Sequence, residues 1–458
     1  MNDQEFDSIL RSGAPVHLTG IGGVSMRALA RMLKNLEVNV RGSDRDESIY
    51  TGYLREEGIP VTIGHRAENT AGAALVIRTA AVPDDNPEIA AARVRGTPVI
   101  ERAEAWGLLM KRFEAAVCIA GTHGKTTTTS MIATFTAAAG LDPTVMVGGD
   151  LPSIGGTLRI GHSGLIVAES CEYKNSFLHF HPTVAVILNI DRDHLDFFKD
   201  MDDIMHSFRS FAERTPAHGC VVANGDDINT RTALAGIDRR VIWFGTAEDC
   251  DVRPAHITDE GGCYGCDVMI GGVLYAGIRL SVPGRHNLQN ALAAAAVARE
   301  LGVPAEQFAT GITDYRGVGR RFEFKKRWHD AVVYDDYAHH PGEIEASLRA
   351  AREVTAGRVI CVFQPHTYSR TAALLPDFAA ALHHADLCIL CPIYAAREKN
   401  DWNVSAADLQ SHIPGALLAR DLSDAAQILA DVVRPGDLIF TMGAGDVYRV
   451  ADDLIEEE

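Results

Sequence analysis

A glycine-rich turn between an apolar run and a helical pattern constrains the fold of this chain more than any other feature. Residues 116–120 are all apolar, and Gly121-Thr-His-Gly-Lys-Thr126 follows them directly. Beyond the turn, Met131 and Phe135 lie on one face of a predicted helix, and Gly140 is a stop signal. In such a strand–turn–helix unit the backbone N–H groups point at phosphate oxygens. The sequence therefore predicts a site for the phosphates of ATP or a close relative.

Two side chains of this turn have predicted roles of their own. Lys125 can reach the outer phosphates, and the Thr126 hydroxyl is placed to bind Mg²⁺. The usual spacing G-x-x-x-x-G-K-[ST] would need a glycine where Ile119 stands, so the motif has the shorter G-x-x-G-K-T form. A structural turn with a surface lysine is the alternative, and the flanking strand and helix favour the nucleotide interpretation. The predicted ATP-binding residues of the turn are Gly121, Thr122, His123, Gly124, Lys125, Thr126 and Thr127.

The length of the chain and its repeated local pattern predict three α/β domains. A chain of 458 residues is long enough for about three domains of ordinary size. Three segments each begin a new round of strand, Gly-rich turn and helix. We expect the domains to cover residues 1–112, 113–315 and 316–458, with mostly parallel strands in the central sheet.

Charge and cysteine usage restrict the partners and the compartment. The formal net charge of −18 opposes broad binding to nucleic acid or to an anionic membrane surface. The N-terminus lacks the basic and apolar regions of a signal peptide, and no apolar run approaches the roughly 18 residues of a membrane span. Nine scattered cysteines are typical of reduced thiols. We expect a cytoplasmic protein, either a monomer or a weak homodimer, with no nucleic-acid or membrane partner.

Neither of the two C-x-x-C pairs predicts a zinc site. Cys388 and Cys391 lie in a predicted strand, where their odd spacing sends the two thiols to opposite faces. Cys263 and Cys266 lie in a predicted turn, but no second pair stands nearby at zinc spacing. The adjacent histidines of residues 339–340 point apart in an extended chain, so we expect no dedicated metal there either.

The first domain opens with a second Gly-rich turn, Gly20-Ile-Gly22-Gly23-Val-Ser25. This turn imitates a dinucleotide fingerprint in which Ser25 replaces the third glycine. Ser43 and Asp44 follow about twenty residues later, where a ribose hydroxyl could be held. These residues alone leave three interpretations open: NAD binding, binding of a different nucleotide, and a purely structural turn.

Polar residues directly after predicted strands mark the candidate catalytic groups. Glu169 follows an apolar strand one βα step from the lysine turn, and it is placed as an acidic ligand to the nucleotide magnesium. His194 follows the next strand and is a second metal ligand or an orienting base. Parallel strands present their carboxyl ends to one edge, so Lys125, Glu169 and His194 should converge.

A series of motifs along the whole chain carries a resemblance to a known family. The motifs are Gly20-Ile-Gly-Gly23, Gly121-Thr-His-Gly-Lys-Thr126, Glu169-Ser-Cys-Glu-Tyr173 with Ser176-Phe-Leu178, Asn189-Ile-Asp-Arg-Asp-His194-Leu-Asp196, Gly284-Arg-His-Asn287-Leu-Gln-Asn290, Gly319-Arg-Arg-Phe322, Asp335-Asp-Tyr-Ala-His-His-Pro341, Gln364-Pro-His-Thr-Tyr-Ser-Arg370 and Gly443-Ala-Gly-Asp446. With these motifs the chain resembles the Mur ligases of bacterial cell-wall synthesis. The resemblance implies a Rossmann-like UDP-binding domain, a central P-loop ATPase-like domain and a C-terminal Rossmann-like domain.

The resemblance also implies a reaction in peptidoglycan precursor synthesis. ATP would phosphorylate the lactyl carboxylate of UDP-N-acetylmuramate, and the amine of L-alanine would attack the acyl phosphate, releasing phosphate. By motif, Lys125 would contact the β and γ phosphates, Thr126 and Glu169 would bind one Mg²⁺, and His194 would bind a second. The other implied contacts are Asn287, Asn290, Arg321 and Asp336 to the nucleotide, and Gly22, Gly23, Ser43, His366 and Arg370 to the substrate.

Two departures and two rival functions qualify this expectation. Residues 201–213 contain no lysine, whereas sister ligases that add later amino acids carbamylate a lysine there to support the second magnesium. Cys171-Glu172-Tyr173-Lys174 differs from the Asp-Glu-Ser-Asp form common in the alanine-adding branch, which leaves residue 171 without an assigned role. The rivals are a recycling ligase that adds a ready-made tripeptide, and a nucleotide-controlled switch or NAD-linked regulator.

Overall fold

The computed structural model describes residues 1–454, and it arranges their strands in three sheets of five, ten and six strands. The three sheets follow one another along the chain, and helices cover their faces. This arrangement confirms the predicted α/β class. None of the helices within residues 1–454 combines the length and the apolar character needed to cross a membrane.

The first sheet is parallel throughout. Its elements are α1 Asp3–Arg11, β1 Val16–Thr19, α2 Val24–Asn35, β2 Val40–Asp44, α3 Ile49–Glu56, β3 Val61–Ile63, β4 Leu75–Arg78, α4 Pro87–Val94, β5 Val99–Glu101 and α5 Arg102–Met110. The strand order is β3-β2-β1-β4-β5. All four residues of β1 are buried, as expected for the central strand of a sheet covered on both faces. The turn predicted to bind a nucleotide therefore follows the central strand.

The second sheet is mostly parallel, as predicted. Its elements are β6 Ala115–Ala120, α6 Lys125–Ala138, β7 Thr144–Leu151, β8 Gly156–Arg159, β9 Leu165–Glu169, β10 Val184–Ile187, α7 Met201–Glu213, β11 Cys220–Asn224, α8 Ile228–Leu234, β12 Val241–Phe244, β13 Val252–Glu260, β14 Cys263–Ile270, β15 Val273–Arg279, α9 Arg285–Glu300 and α10 Ala305–Asp314. The order is β15-β14-β13-β12-β11-β10-β6-β9-β7-β8. The antiparallel pairs are β7 with β8, β13 with β14, and β14 with β15. The lysine turn follows β6, which lies between β10 and β9.

The third sheet follows the same plan with one antiparallel edge strand. Its elements are β16 Glu323–Trp328, β17 Ala331–Asp336, α11 Pro341–Val354, β18 Val359–Phe363, α12 Tyr368–Ala373, α13 Leu375–Leu382, β19 Leu387–Leu390, α14 Ala406–Gln410, β20 Leu417–Leu418, α15 Leu422–Val432, β21 Leu438–Met442 and α16 Tyr448–Asp453. The order is β16-β17-β21-β18-β19-β20. Antiparallel β16 lies at the edge of the sheet and carries the basic residues Lys325, Lys326 and Arg327.

The structure corrects the predicted turn at Cys263 and Cys266. Both residues lie in β14, which pairs with β13 and β15, and the turn lies at Gly261 and Gly262, where φ is positive. Their odd spacing in a strand puts the two thiols on opposite faces of the sheet. Cys388 and Cys391 also face opposite sides of their sheet, because they pack in different apolar clusters.

At Gly107 the first domain makes a close backbone contact with the central domain. This residue lies in the middle of α5, which packs on a short 3₁₀ segment, Tyr173–His179, of the central domain. A Cβ atom at Gly107 would lie 2.0 Å from the carbonyl oxygen of His179. That distance is far below van der Waals contact, so only glycine fits without a backbone shift.

We predict that Gly107→Ala lowers the free energy of unfolding by about 1–3 kcal/mol, because the added methyl group forces α5 away from His179. Gly52→Ala is the matched control. Gly52 lies inside α3, nothing lies within 4 Å of its Cβ position, and alanine there should raise stability by about 0.5–1 kcal/mol. Urea titration of both variants measures the difference. Equal effects would contradict the close packing at Gly107.

Candidate active site

The lysine turn has the backbone geometry that its sequence predicts. Gly124 has φ of 81°, and a Cβ atom there would lie 2.7 Å from Asn290 Oδ1, so the position requires glycine. Helix α6 begins at Lys125, directly after this residue. The N–H groups of the first helical turn therefore face the region where a phosphate would lie.

A buried ion pair between Lys125 and Glu172 lies at the centre of the site. Lys125 Nζ is 2.9 Å from Glu172 Oε2 and 3.1 Å from the carbonyl oxygen of Thr122. Burial acts to lower the pKa of Lys125, but the charges of Glu172 and Glu169 and the hydrogen bond to Glu172 contribute to a larger opposing effect, which raises that pKa above its usual value. The lysine is therefore a permanent cation at neutral pH.

Glu172 lies in a segment that the motifs include, but it had no predicted role. Only 3% of its side chain is exposed. The chain is irregular directly after it, where Lys174 and Asn175 adopt left-handed φ values of 53° and 56°. The one available signal was a second carboxylate three residues after Glu169.

Thr126 and Glu169 form a second contact beside the ion pair. The Thr126 hydroxyl donates to Glu169 Oε1 at 3.1 Å, and the N–H of Gly148 donates to Glu169 Oε2 at 2.7 Å. One hydroxyl and two carboxylates, those of Glu169 and Glu172, supply the hard oxygen atoms that Mg²⁺ prefers. The donor set therefore fits a magnesium ion.

His194 lies on the other side of Glu172. Its Nε2 atom is 3.8 Å from Glu172 Oε1 and 3.7 Å from Asp193 Oδ2, and its ring packs on Tyr173 with centroids 4.6 Å apart. Lys125 and His194 thus both approach Glu172, while Glu169 contacts Thr126, the neighbour of Lys125. The structure brings the three predicted catalytic side chains together, and their roles stay predictions.

A cavity of about 320 Å³ opens from the lysine turn toward the third sheet. It contains the predicted nucleotide residues Asn287, Asn290, Arg321 and Asp336 together with Thr126 and Thr127. Asn287 donates to the carbonyl oxygen of Pro283 at 2.7 Å, and Asn290 donates to Asn287 Oδ1 at 3.1 Å. The other wall is apolar or aromatic and consists of Leu188, Phe244, Val282, Tyr315 and Phe322. Apolar walls with a few fixed amides are typical of sites for small aromatic ligands.

Two charged residues of this cavity, Asp336 and Arg321, lie near each other. Burial raises the pKa of Asp336 to about 6, although the nearby Arg321 guanidinium acts to lower it. Arg321 Nη1 also lies 3.4 Å from Glu343 Oε1. Arg321 is thus held between two carboxylates at the wall of the cavity.

A second cavity, of about 640 Å³, lies between the central and third sheets. His194 and Tyr173 line one side, and His366 and Arg370 line the other. Arg370 Nη2 is 3.0 Å from Asp193 Oδ1, and both side chains are nearly buried. Burial, followed by the charge of Arg370, lowers the pKa of His366 to about 4, so its ring is neutral at pH 7.

The first Gly-rich turn has its N–H groups in internal contacts. The N–H of Gly22 donates to Asp44 Oδ2 at 2.8 Å, and the N–H of Gly23 donates to the carbonyl oxygen of Gly20 at 3.3 Å. Ser43 is fully buried and donates to Glu88 Oε2 at 2.7 Å. The domain itself thus encloses the Ser43 hydroxyl, and the predicted contact of Ser43 with the substrate stays a prediction. Asp44 is the polar side chain that faces the turn.

His123 connects the central and third sheets. Its Nε2 atom is 3.4 Å from Asp191 Oδ2, its Nδ1 atom is 3.7 Å from Glu343 Oε1, and its ring packs on His340. Burial acts to lower the pKa of His123, but Asp191 and Glu343 outweigh burial and raise that pKa to about 9.

His123, Asp191 and His340 lie close enough together to hold a metal ion. The His340 ring nitrogens, however, contact the Arg192 carbonyl oxygen at 2.8 Å and the N–H of Gly342 at 3.3 Å. A protonated His123 has no free lone pair for a metal. The geometry therefore favours an ion-pair link between the two domains.

Models of known families match almost the whole chain. The Mur ligase family catalytic domain matches residues 15–114, the Mur ligase middle domain matches residues 119–298, and the Mur ligase glutamate ligase domain matches residues 320–445. The chain belongs to the Mur ligase family. The turns at residues 20–25 and 121–126 each fall within a matched domain.

Individual Mur ligases are similar over nearly the full length. A UDP-N-acetylmuramate--L-alanine ligase from Caldanaerobacter subterraneus subsp. tengcongensis is 45% identical, over 96% of this chain and 97% of that protein. The solved structure of UDP-N-acetylmuramate-alanine ligase from Thermotoga maritima has a TM-score of 0.80 at 30% identity, over 96% of this chain and 98% of that one. A murein peptide ligase from Psychrobacter arcticus shares the fold, with a TM-score of 0.73 at 23% identity over 96% and 98% of the two chains.

The raised pKa of His123 makes the stability of the protein depend on pH. A raised folded-state pKa contributes stability that is fully present below the unfolded value of 6.5 and is lost as pH rises through about 9. We predict that the wild type loses up to roughly 3 kcal/mol more than His123→Gln between pH 6 and 10. Urea unfolding of the nucleotide-free protein across this range measures the difference.

His162→Gln is the matched control for this prediction, because His162 also contacts an aspartate, Asp142, but its side chain is 92% exposed. Its difference from the wild type should stay constant with pH. Parallel curves for the wild type and His123→Gln would mean that His123 is not charged in the folded protein.

Proposed function

We propose that this protein is an ATP-dependent ligase that joins L-alanine to the lactyl carboxylate of UDP-N-acetylmuramate. One observation carries the proposal: the cluster around Lys125 and Glu172 adjoins three separate cavities. Thr126 lines the nucleotide cavity, and His194 lines the cavity that contains Arg370. Glu169 lines a third cavity, which reaches the first sheet. Three reactants, one in each cavity, would meet at this cluster.

Elementary chemistry explains why a ligase needs such a meeting point. A carboxylate does not accept an amine at neutral pH until one of its oxygens becomes part of a leaving group. In the proposed reaction a lactyl oxygen attacks the γ phosphorus and the bond to ADP breaks. The amine of alanine then attacks the acyl carbon and loses a proton, and inorganic phosphate leaves with that lactyl oxygen. The first step brings two negative groups together, so fixed cations must offset their repulsion.

The chain's own residues would divide this work. Lys125 would bind the β and γ phosphates, which requires its ammonium group to move from Glu172 to the nucleotide. The proposed magnesium ligands are Thr126, Glu169 and His194. We add Glu172 to this set because its carboxylate lies beside His194. Magnesium, when bound, would neutralise charge on the transferring phosphoryl group. Tyr173 would hold the ring of His194 in its orientation.

The remaining assignments follow the three domains, for which we propose the boundaries 1–112, 113–315 and 316–458. The first domain would hold the UDP diphosphate at Gly22 and Gly23. The nucleotide cavity would hold ATP through Asn287, Asn290, Arg321 and Asp336, and His366 and Arg370 would contact substrate from the third domain. The need for ATP and the nine free cysteines favour the cytoplasm. We propose a monomer or a weak homodimer that uses neither nucleic acid nor membrane.

The choice of amine donor rests on sequence similarity more than on fold. The alanine ligases are 45% and 43% identical to this chain over nearly its full length, whereas the murein peptide ligase is 23% identical. A cavity of about 640 Å³ is larger than alanine requires, so it leaves room for a peptide donor. The peptide-adding reaction is therefore the second candidate.

We predict that ADP release requires both UDP-N-acetylmuramate and an amine, and that L-alanine supports a higher kcat/KM than the tripeptide. A coupled ADP assay with each component omitted in turn measures this. Faster turnover with the tripeptide would favour the recycling reaction. ADP release that ignores the sugar nucleotide would favour a nucleotide-controlled switch.

We predict that Lys125→Ala lowers kcat by at least about 1,000-fold, because the phosphates lose their fixed cation, while the Kd for UDP-N-acetylmuramate stays within about twofold. Lys199→Ala, which removes a lysine that is 86% exposed, is the control and should behave as the wild type. Steady-state kinetics and calorimetry measure the two quantities. An active Lys125→Ala enzyme would remove the lysine from its proposed role.

A further inference from the structure

A cavity of about 200 Å³ separates the first domain from the central domain. Ser25, Arg102 and Trp106 line it from α2 and α5, and Gly148 and Glu169 line it from β7 and β9. Ser25, which lines one end, is two residues after Gly23 of the first Gly-rich turn. The other end lies at Glu169, which contacts Thr126 of the ATP turn. The cavity connects the two Gly-rich turns of the protein.

Arg102 is the cation of this cavity. Its guanidinium group donates a hydrogen bond to Ser25 Oγ. Within residues 1–454, no carboxylate forms an ion pair with it, and the neighbouring Glu101, whose charge acts to raise its pKa, is itself paired with Arg78. Burial lowers the pKa of Arg102, since water solvates the charge poorly at this position. A guanidinium group in such a place is costly unless a partner compensates its charge.

Arg78, at the same edge of the sheet, differs from Arg102 because it forms ion pairs within the domain. Arg78 lies 2.5 Å from Asp84 Oδ1 and 3.4 Å from Glu101 Oε1, so its charge is compensated within the domain. Arg102 is moreover the first residue of α5, and a cation at a helix N-terminus opposes the helix dipole. The stability of the fold therefore does not account for an arginine at position 102.

We propose that Arg102 binds an anionic group of the sugar nucleotide inside this cavity. The inference rests on the proposed function, in which the diphosphate lies at the first Gly-rich turn and the lactyl carboxylate lies near the ATP turn. Both groups are oxyanions, and a guanidinium group binds either one through paired N–H donors. Ser25 holds the guanidinium group at the mouth of the first turn. Arg102 is thus a substrate-binding residue that orients the acceptor toward the γ phosphate.

The test is calorimetric binding of UDP, UDP-N-acetylglucosamine and UDP-N-acetylmuramate to the full chain without ATP. Arg102→Ala should raise the Kd of UDP-N-acetylmuramate by about 10- to 100-fold, the range for a lost charged hydrogen-bonding partner. Arg102→Lys, which keeps a cation, should recover part of the loss. Arg93→Ala, which removes a 52% exposed arginine of the same domain, should leave every Kd unchanged.

The three ligands identify which anion Arg102 binds. A similar loss for all three ligands assigns the diphosphate, and a loss confined to UDP-N-acetylmuramate assigns the lactyl carboxylate. Because no carboxylate within residues 1–454 forms an ion pair with the guanidinium group, Arg102→Ala should unfold at the same temperature as the wild type or at a higher one. Weaker binding without lost stability distinguishes ligand contact from a structural role, and Arg102→Gln repeats the test should the alanine variant fail to fold.

Unchanged affinity of the neutral variants for all three ligands overturns the inference. If the wild type still forms product from UDP-N-acetylmuramate and alanine, the proposed function survives that result. If the wild type neither binds nor uses the sugar nucleotide, the function fails and the inference fails with it. A loss of affinity that always accompanies a lower unfolding temperature assigns Arg102 to the fold and also overturns the inference.

Discussion

The ion pair between Lys125 and Glu172 is the contact on which the geometry of the site depends. It connects the turn after β6 to the irregular segment after β9, and His194 approaches the same carboxylate from the turn after β10. Glu169 adds a second carboxylate beside it, so two negative charges lie near one lysine. This excess of negative charge suits a divalent cation. The proposed substrates are themselves anions, so the site also needs cations to receive them. The protein's overall charge of −18 makes such local cations necessary.

The cavities around the cluster give the site its three approaches. The cluster around Glu172 adjoins one cavity toward the first domain and two cavities toward the third domain. Two cavities have cations that the chain compensates itself, namely Arg321 beside Glu343 and Arg370 beside Asp193. Among the described residues, Arg102 in the third cavity has no such ion-pair partner. Under the proposal the sugar nucleotide would supply this anion, whereas ATP and the amine would enter sites whose cations already have carboxylate partners.

The elements that depend only on local sequence patterns could be predicted from the sequence. Strand β6 and helix α6 follow from an apolar run and helical periodicity, and the lysine turn follows from its glycines. Three features depend on contacts with distant parts of the chain, and local patterns did not predict them. Glu172 lies beside Lys125, and the Ser43 hydroxyl donates to Glu88 of α4. The pKa of His123 is raised because Asp191 and Glu343 lie beside it. Patterns within one segment do not contain such contacts.

The central claim is that ATP activates a sugar-borne carboxylate by phosphorylating it. Positional isotope transfer tests this claim most directly. UDP-N-acetylmuramate labelled with ¹⁸O in the lactyl carboxylate is incubated with ATP, L-alanine and the protein, and the released phosphate is examined by ³¹P NMR or mass spectrometry. The account predicts that each molecule of product formed releases one phosphate with a single oxygen from the carboxylate. Product formation with no label in the phosphate would contradict it.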